Sequence, residues 1–144
     1  MRHCYTLPLS SNMSTLKKFM EATDTLLKEG NFVLVYPEQS MWWNYRKPKP
    51  LKKGAYTFSV RNNVPVLPCF ITMTDSDIMG EDGFFVQEYT IHIEKPIYPN
   101  ESLSNKENIK MLMDKNYELW KDIYEREYNE PLYYTTEKET ADVI

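Results

Sequence analysis

Five consecutive apolar residues, Phe32-Val33-Leu34-Val35-Tyr36, stand between Gly30 and Pro37 and restrict this chain more than any other stretch. A run this short, with no polar alternation, fits a strand buried on both faces, the habit of parallel sheets covered by helices. Ahead of it, Leu16, Phe19, Met20, Thr23, Leu26 and Leu27 recur at helical spacing, with Lys17, Lys18, Glu21, Asp24 and Lys28 between them. That spacing predicts an amphipathic helix over 13–29. Asn12 or Ser14 is placed to cap its start, and Gly30 to supply a left-handed stop. Pro37 ends the strand.

Beyond a loop of proline, aromatic and basic residues over about 37–53, the pattern predicts a short helix from Gly54 to Asn62, stopped at Asn62-Asn63. Val64 to Thr72 reads as a second buried strand, entered through Pro65 and carrying Pro68, two prolines that shape the strand rather than touch a substrate. Residues 73–83 read as a polar turn with Gly80 and Gly83, and Phe84 to Ile93 as a strand with Tyr89, Ile91 and Ile93 on one face. A long helix over about 105–128 has Ile109, Leu112, Met113, Trp120, Ile123 and Tyr124 as its apolar stripe, a core surface rather than a cofactor contact. The order helix–strand–helix–strand predicts an α/β layer fold with a mostly parallel sheet flanked by helices. Residues 1–128 form its domain portion, and 129–144 a loosely packed tail.

Composition excludes several classes. The chain has 144 residues, 42% of them hydrophobic and 14% aromatic, with only 4 glycines. This is enough for one domain with a core, and unlike a collagen, a coiled coil or a disordered chain. The most apolar stretch, Val64 to Met73, holds two prolines and falls short of the roughly 20 residues a spanning helix needs. Met1 to Tyr5 leads to Pro8 and serines with no apolar run, so no secretory leader is expected. Cys4 and Cys69 make neither a disulfide framework nor a Cys-x-x-Cys metal site, which points to a reducing cytosol. No metal-ligand pattern is read.

The net charge of −4 hides an asymmetry. Residues 46–53, Arg-Lys-Pro-Lys-Pro-Leu-Lys-Lys, hold five positive charges and no negative one, while the rest of the chain carries 12 basic and 21 acidic residues. Across residues 30–74 the only carboxylate is Glu38. Such a field concentrates an anionic ligand; a solvated, proline-stiffened loop is the other reading. In doubly wound folds ligands meet the carboxyl ends of strands. Tyr36-Pro37-Glu38-Gln39-Ser40 sits at such an end, followed by the basic loop and then by a helix start at Gly54-Ala55, whose N–H groups favour phosphate.

Taken in order, Val35-Tyr36-Pro37-Glu38-Gln39-Ser40, Lys52-Lys53-Gly54-Ala55 and Asn63-Val64-Pro65-Val66-Leu67-Pro68 resemble the 1-acylglycerol-3-phosphate (phospholipid/glycerol) acyltransferase family. The resemblance covers residues 6–72 and, loosely, the last helix. It implies a glycerol-3-phosphate acyltransferase-like fold, truncated at its amino end. It also implies acyl transfer from acyl-CoA or acyl-carrier protein, with no other cofactor, to a glycerophosphate or lysophospholipid hydroxyl. Pro37, Glu38, Gln39, Ser40 and Gly54 occupy the positions of the substrate-holding blocks, with Glu38 suited to hydrogen-bond glycerol hydroxyls. Gln39, Ser40 and Met41 replace the family's Gly, Thr and Arg, which leaves Arg46, Lys52 or Lys53 to meet phosphate, and Ser11 stands where the family has an acceptor-binding Arg.

The family's base is a His followed, after four residues, by an Asp. Here His3 leads to Pro8 and His92 to Ile97, so neither forms the dyad and no catalytic residue is assigned. The expectation is a chain cut upstream, nearly inert by itself, in phospholipid biosynthesis at the inner face of the membrane. The alternative is a catalytically dead module that binds anionic lipid or acyl thioester. Met41-Trp42-Trp43-Asn44-Tyr45 beside the cations admits an acyl or acceptor channel, a membrane surface, a single-stranded nucleic acid or plain core packing. The acidic remainder speaks against nucleic acid. Loss of a first strand would leave a sheet edge, so a homodimer that covers it is expected.

Overall fold

The computed structural model describes Leu7, residues 12–40 and residues 42–134, with only the backbone of Met13. Its elements are helix α1 (Met13–Lys28), helix α2 (Gly54–Asn62), strand β1 (Cys69–Met79), strand β2 (Phe85–Ile93) and helix α3 (Asn105–Tyr128).

The helices form where local chemistry directs them. At α1 the Asn12 side chain accepts from the Ser14 N–H at 2.9 Å, and Gly30, at φ +81°, takes the left-handed turn that a Cβ would strain. Asn63 ends α2 in the same conformation. Ser104 and Glu107 form a reciprocal capping box on α3, and left-handed Asn129 closes it.

Side chains with little freedom tie the elements together. Phe19 of α1 meets Phe58 of α2 edge to face at 5.7 Å, while Arg61 and Asn62 converge on Asp24 at 2.5 and 2.7 Å. Tyr56 is buried between α2 and α3, its hydroxyl accepting from Asn116 Nδ2 at 2.8 Å. On α3, Trp120, Ile123 and Tyr124 pack with Phe70 of β1 as the core, flanked by Leu51, Tyr128 and Leu132. Residues 129–134, the described part of the expected tail, run back over this core. There the Leu132 N–H donates to Glu125 at 2.8 Å.

The sheet corrects the sequence reading. Among the described residues it is not parallel but a two-stranded antiparallel hairpin, with Cys69 opposite Ile93, Ile71 opposite Ile91 and Met73 opposite Tyr89. Phe70 and Thr72 turn inward to α3, whereas Ile71, Tyr89, Ile91 and Ile93 face outward and stay exposed. The expected strand at Val64–Thr72 starts later, at Cys69, because Pro65 and Pro68 occupy its approach; only an isolated bridge joins Val66 to Ile97. It also runs further, through the expected polar turn to Met79, with an irregularity in register between Asp75 and Met79. Polar composition does not prevent pairing there, since both faces are wet and Gln87 donates across the ladder to Asp75 at 2.6 Å. The reversal itself spans Gly80 to Phe84, with Gly83 at φ +81°.

Phe32–Tyr36 departs most from expectation. The segment is extended, yet residues 32–35 make no backbone hydrogen bond among the described residues, and Phe32 and Leu34 are 97% and 76% exposed. A strand exists only where a neighbour supplies the other half of the ladder, and no described segment does.

Candidate functional site

Where the Phe32–Tyr36 run ends, the chain turns tightly: the Gln39 N–H donates to the Tyr36 carbonyl at 3.2 Å, with Gln39 itself left-handed at φ 55°. The Lys52 N–H donates to the Pro37 carbonyl at 2.8 Å, which docks this turn against the residues that open α2. The Gln39 amide reaches the same helix start, its Nε2 about 4.0 Å from where a Cβ on Gly54 would lie. Lys53 precedes α2 without a side-chain cap, so the first-turn N–H groups keep donor capacity on this side.

Glu38 turns inward to the loop. Its Oε1 accepts from the backbone N–H of Lys49 at 2.6 Å, a charge-assisted bond that closes residues 38–49 into a ring. Oε2 makes no hydrogen bond among the described residues. Burial pushes the Glu38 carboxyl above its ordinary value, and the Lys49 N–H and ammonium charge oppose that rise. The Lys49 ammonium donates to Ser40 Oγ at 3.2 Å and lies over the Trp42 ring at 3.7 Å and the Tyr45 ring at 5.2 Å. Lys49 is only 6% exposed, and neighbouring Pro48 is fully buried. Burial, and then the Glu38 charge, raise the Tyr45 phenol.

The structure therefore brings Pro37, Glu38, Gln39, Ser40 and Gly54 together at one corner of the molecule. Lys52 and Lys53 have exposed side chains at its rim. Arg46 lies elsewhere, its guanidinium donating to Asp75 at 2.6 Å and to Gln87 at 3.2 Å on the hairpin. Ser11 lies outside the described residues, as do Met41 and Cys4.

Lys49 is the residue that sequence reasoning passed over, counting it as one charge in a run. One signal was present. Lys49 stands between Pro48 and Pro50, which fix the backbone on both sides and so hold its N–H at a set place. The aromatic pair that receives its ammonium, Trp42 and Tyr45 edge to face at 4.9 Å, is close in sequence as well.

No helix of the described residues is long and apolar enough to cross a membrane. No curated protein and no solved structure matches this chain. The sequence model of the family described as Acyltransferase matches residues 1–72, half of the chain. That span contains all three blocks on which the resemblance rests and the whole Glu38 corner. With half its length matched and the corner built from the matched blocks, the chain belongs to the acyltransferase family, the basis for assigning it to acyl transfer in general.

Proposed function

We propose that this chain holds the acceptor in acyl transfer from a thioester, acyl-CoA or acyl-carrier protein, to a hydroxyl of a glycerophosphate or lysophospholipid. One observation carries the reading: a carboxylate pinned at one oxygen, beside an ammonium and an uncapped helix start. Glu38 Oε2 suits an acceptor hydroxyl as donor, and a carboxylate by itself would repel phosphate. The donors around it, the first-turn N–H groups of α2 with Lys52 and Lys53 at the rim, suit the phosphate.

In the reaction, the hydroxyl oxygen bonds to the thioester carbonyl carbon, the C–S bond breaks, and the hydroxyl proton passes through a base to the leaving sulfur. Glu38 orients the hydroxyl in this scheme. The base belongs to a His-x4-Asp pair, which neither His3 nor His92 forms. General-base help is worth about 10²–10⁴ in rate, so the 144-residue chain binds acceptor with almost no turnover. The same absence supports the second reading, a module that binds anionic lipid or acyl thioester and never turns over. A His-x4-Asp in the coding sequence upstream of Met1 favours the enzyme; its absence favours the binder. The reading extends to phospholipid biosynthesis at the cytoplasmic membrane face, with peripheral contact through the basic loop. It also has a second copy covering the Phe32–Tyr36 run.

Calorimetry with glycerol 3-phosphate tests the acceptor site. Binding that weakens about fivefold in Glu38→Gln is the expected result, the difference between a charged and a neutral acceptor. Binding unchanged by that substitution removes Glu38 from the site. Acyl transfer by this chain at a full enzyme's rate refutes its inertness.

A further inference from the structure

Residues 129–134 run back along α3 and are fastened to it link by link. The Tyr124 hydroxyl donates to Glu130, the Leu132 N–H donates to Glu125 at 2.8 Å, and the Tyr117 and Tyr134 hydroxyls meet at 2.5 Å. From the loop side, Lys47 Nζ donates to the Tyr133 carbonyl at 3.1 Å. The last ring of this strap is therefore presented to the loop by a held backbone, and there the Tyr134 hydroxyl donates to the Pro48 carbonyl.

A carbonyl only accepts, so the single Tyr134 proton goes to Pro48, and the Tyr134 oxygen receives the proton of Tyr117. That Pro48 carbonyl belongs to the same trans peptide unit as the Lys49 N–H, the group that grips Glu38 Oε1 at 2.6 Å. In a trans unit the C=O and the N–H point in opposite directions along one plane. Tyr117, Tyr134, the Pro48–Lys49 peptide and Glu38 thus make one chain of hydrogen bonds from α3 to the corner. A bond to the carbonyl draws electron density from the amide nitrogen and makes its N–H the stronger donor, by about 10–30% per bond in such chains. Pro48 and Lys49 are both buried, so little water competes for either end of the unit. Among the described residues, the ionisable groups that feel Glu38 are Lys49 and Tyr45 of the loop and Tyr134 of the strap. Burial, and then the Tyr117 hydroxyl, raise the Tyr134 phenol above its ordinary value, so it keeps its proton and remains a donor.

We propose that Tyr134 is a positioning residue for Glu38: from the strap it fixes the Pro48–Lys49 peptide, so that the N–H holds Oε1 and Oε2 is left for the acceptor hydroxyl. The grip on Glu38 stands on this geometry, whereas its part in acceptor binding rests on the acyl-transfer reading. Tyr134→Phe keeps the ring and releases the carbonyl.

The test is the titration of Glu38 in the full 144-residue chain, read by NMR at the carboxyl carbon and assigned by its loss in Glu38→Gln. A weaker N–H donor favours the charged carboxylate less, so Tyr134→Phe should raise the midpoint by about 0.3 pH unit. Tyr117→Phe, one link further out, should raise it by less. Calorimetry with glycerol 3-phosphate should show binding about twofold weaker in Tyr134→Phe, a smaller loss than in Glu38→Gln because the carboxylate remains. A strap that only packs would lower the thermal stability of Tyr134→Phe and leave the Glu38 midpoint in place. That result, or a larger rise in Tyr117→Phe than in Tyr134→Phe, would overturn the proposal. Should Tyr134→Phe not fold, a midpoint unmoved in Tyr117→Phe overturns it as well. If the midpoint rises while glycerol 3-phosphate binds neither chain, or binds both equally, the grip is upheld and the acceptor is taken away from Glu38.

Discussion

The apolar stripe of helix α3 and the apolar run Phe32–Tyr36 both call for burial, and the fold treats them in opposite ways. Leu112 of α3 has no exposure, and its helix is closed by a capping box at one end and a left-handed Asn129 at the other. Phe32 is 97% exposed in a segment with no ladder among the described residues. A helix satisfies its own backbone and needs a neighbour only for one stripe; a strand needs a neighbour for its backbone as well. The contrast teaches that an apolar run is a demand for burial, and that meeting the demand depends on what stands beside it.

The contrast breaks most easily at its buried end. Leu112→Ala should cost about 2–5 kcal/mol of unfolding free energy, the range for emptying a sealed aliphatic site. Urea unfolding measures it, and a loss below about 1 kcal/mol would mean that α3 is not packed as described.

Titration gives a smaller effect that separates the packed helix pair from the loop. Asp24, between α1 and α2, is held below its ordinary value of 3.8, chiefly by the Asn62 side-chain hydrogen bond and then, against the cost of burial, by Arg61. Its contribution is present above pH 3.8 and is lost as pH falls through the folded value, so Asp24→Asn should flatten the acid limb of the stability curve. Glu38 has the opposite sign. Burial raises its carboxyl, so stability is given up as pH rises from 4.5 through the folded value, and Glu38→Gln should remove that decline. Thermal melts of the three chains across acid pH read both limbs. Parallel profiles in all three would show that neither group is held as the geometry requires.

The smallest effect belongs to the exposed run. Phe32→Ser should change the unfolding free energy by no more than about 0.5 kcal/mol, as for other surface sites. It should, however, reduce self-association, because exposed apolar strand-formers are where chains pair. Light scattering that shows a clean monomer for the parent chain at high concentration would remove the second copy from the proposal. A large loss of stability in Phe32→Ser would mean that the run is buried after all.

The helices were legible because their signals are local. Asn12, Gly30, Asn63, the Ser104–Glu107 pair and Asn129 each act within a few residues of the helix end they mark. The hairpin was half legible. The alternation of Tyr89, Ile91 and Ile93 marked β2, but the polar Asp75-Ser76-Asp77 hid the outer half of β1, whose pairing comes from Gln87 and its neighbours on the other strand. The Glu38 corner divides in the same way. The turn and the nearby helix start follow from residue order, whereas the grip of the Lys49 N–H on Glu38 spans eleven positions and requires the loop to fold back.

The amino-acid order alone determined where backbone torsions are restricted, which faces are apolar, and how charge is distributed, since these depend on a residue and its nearest neighbours. Only the tertiary structure decided that the strands pair antiparallel, that Arg46 answers Asp75 while Lys49 turns toward Glu38 and Trp42, and that Phe32 stays in water. Those outcomes are contests among distant partners, settled by which groups a folded chain brings within hydrogen-bonding or van der Waals reach.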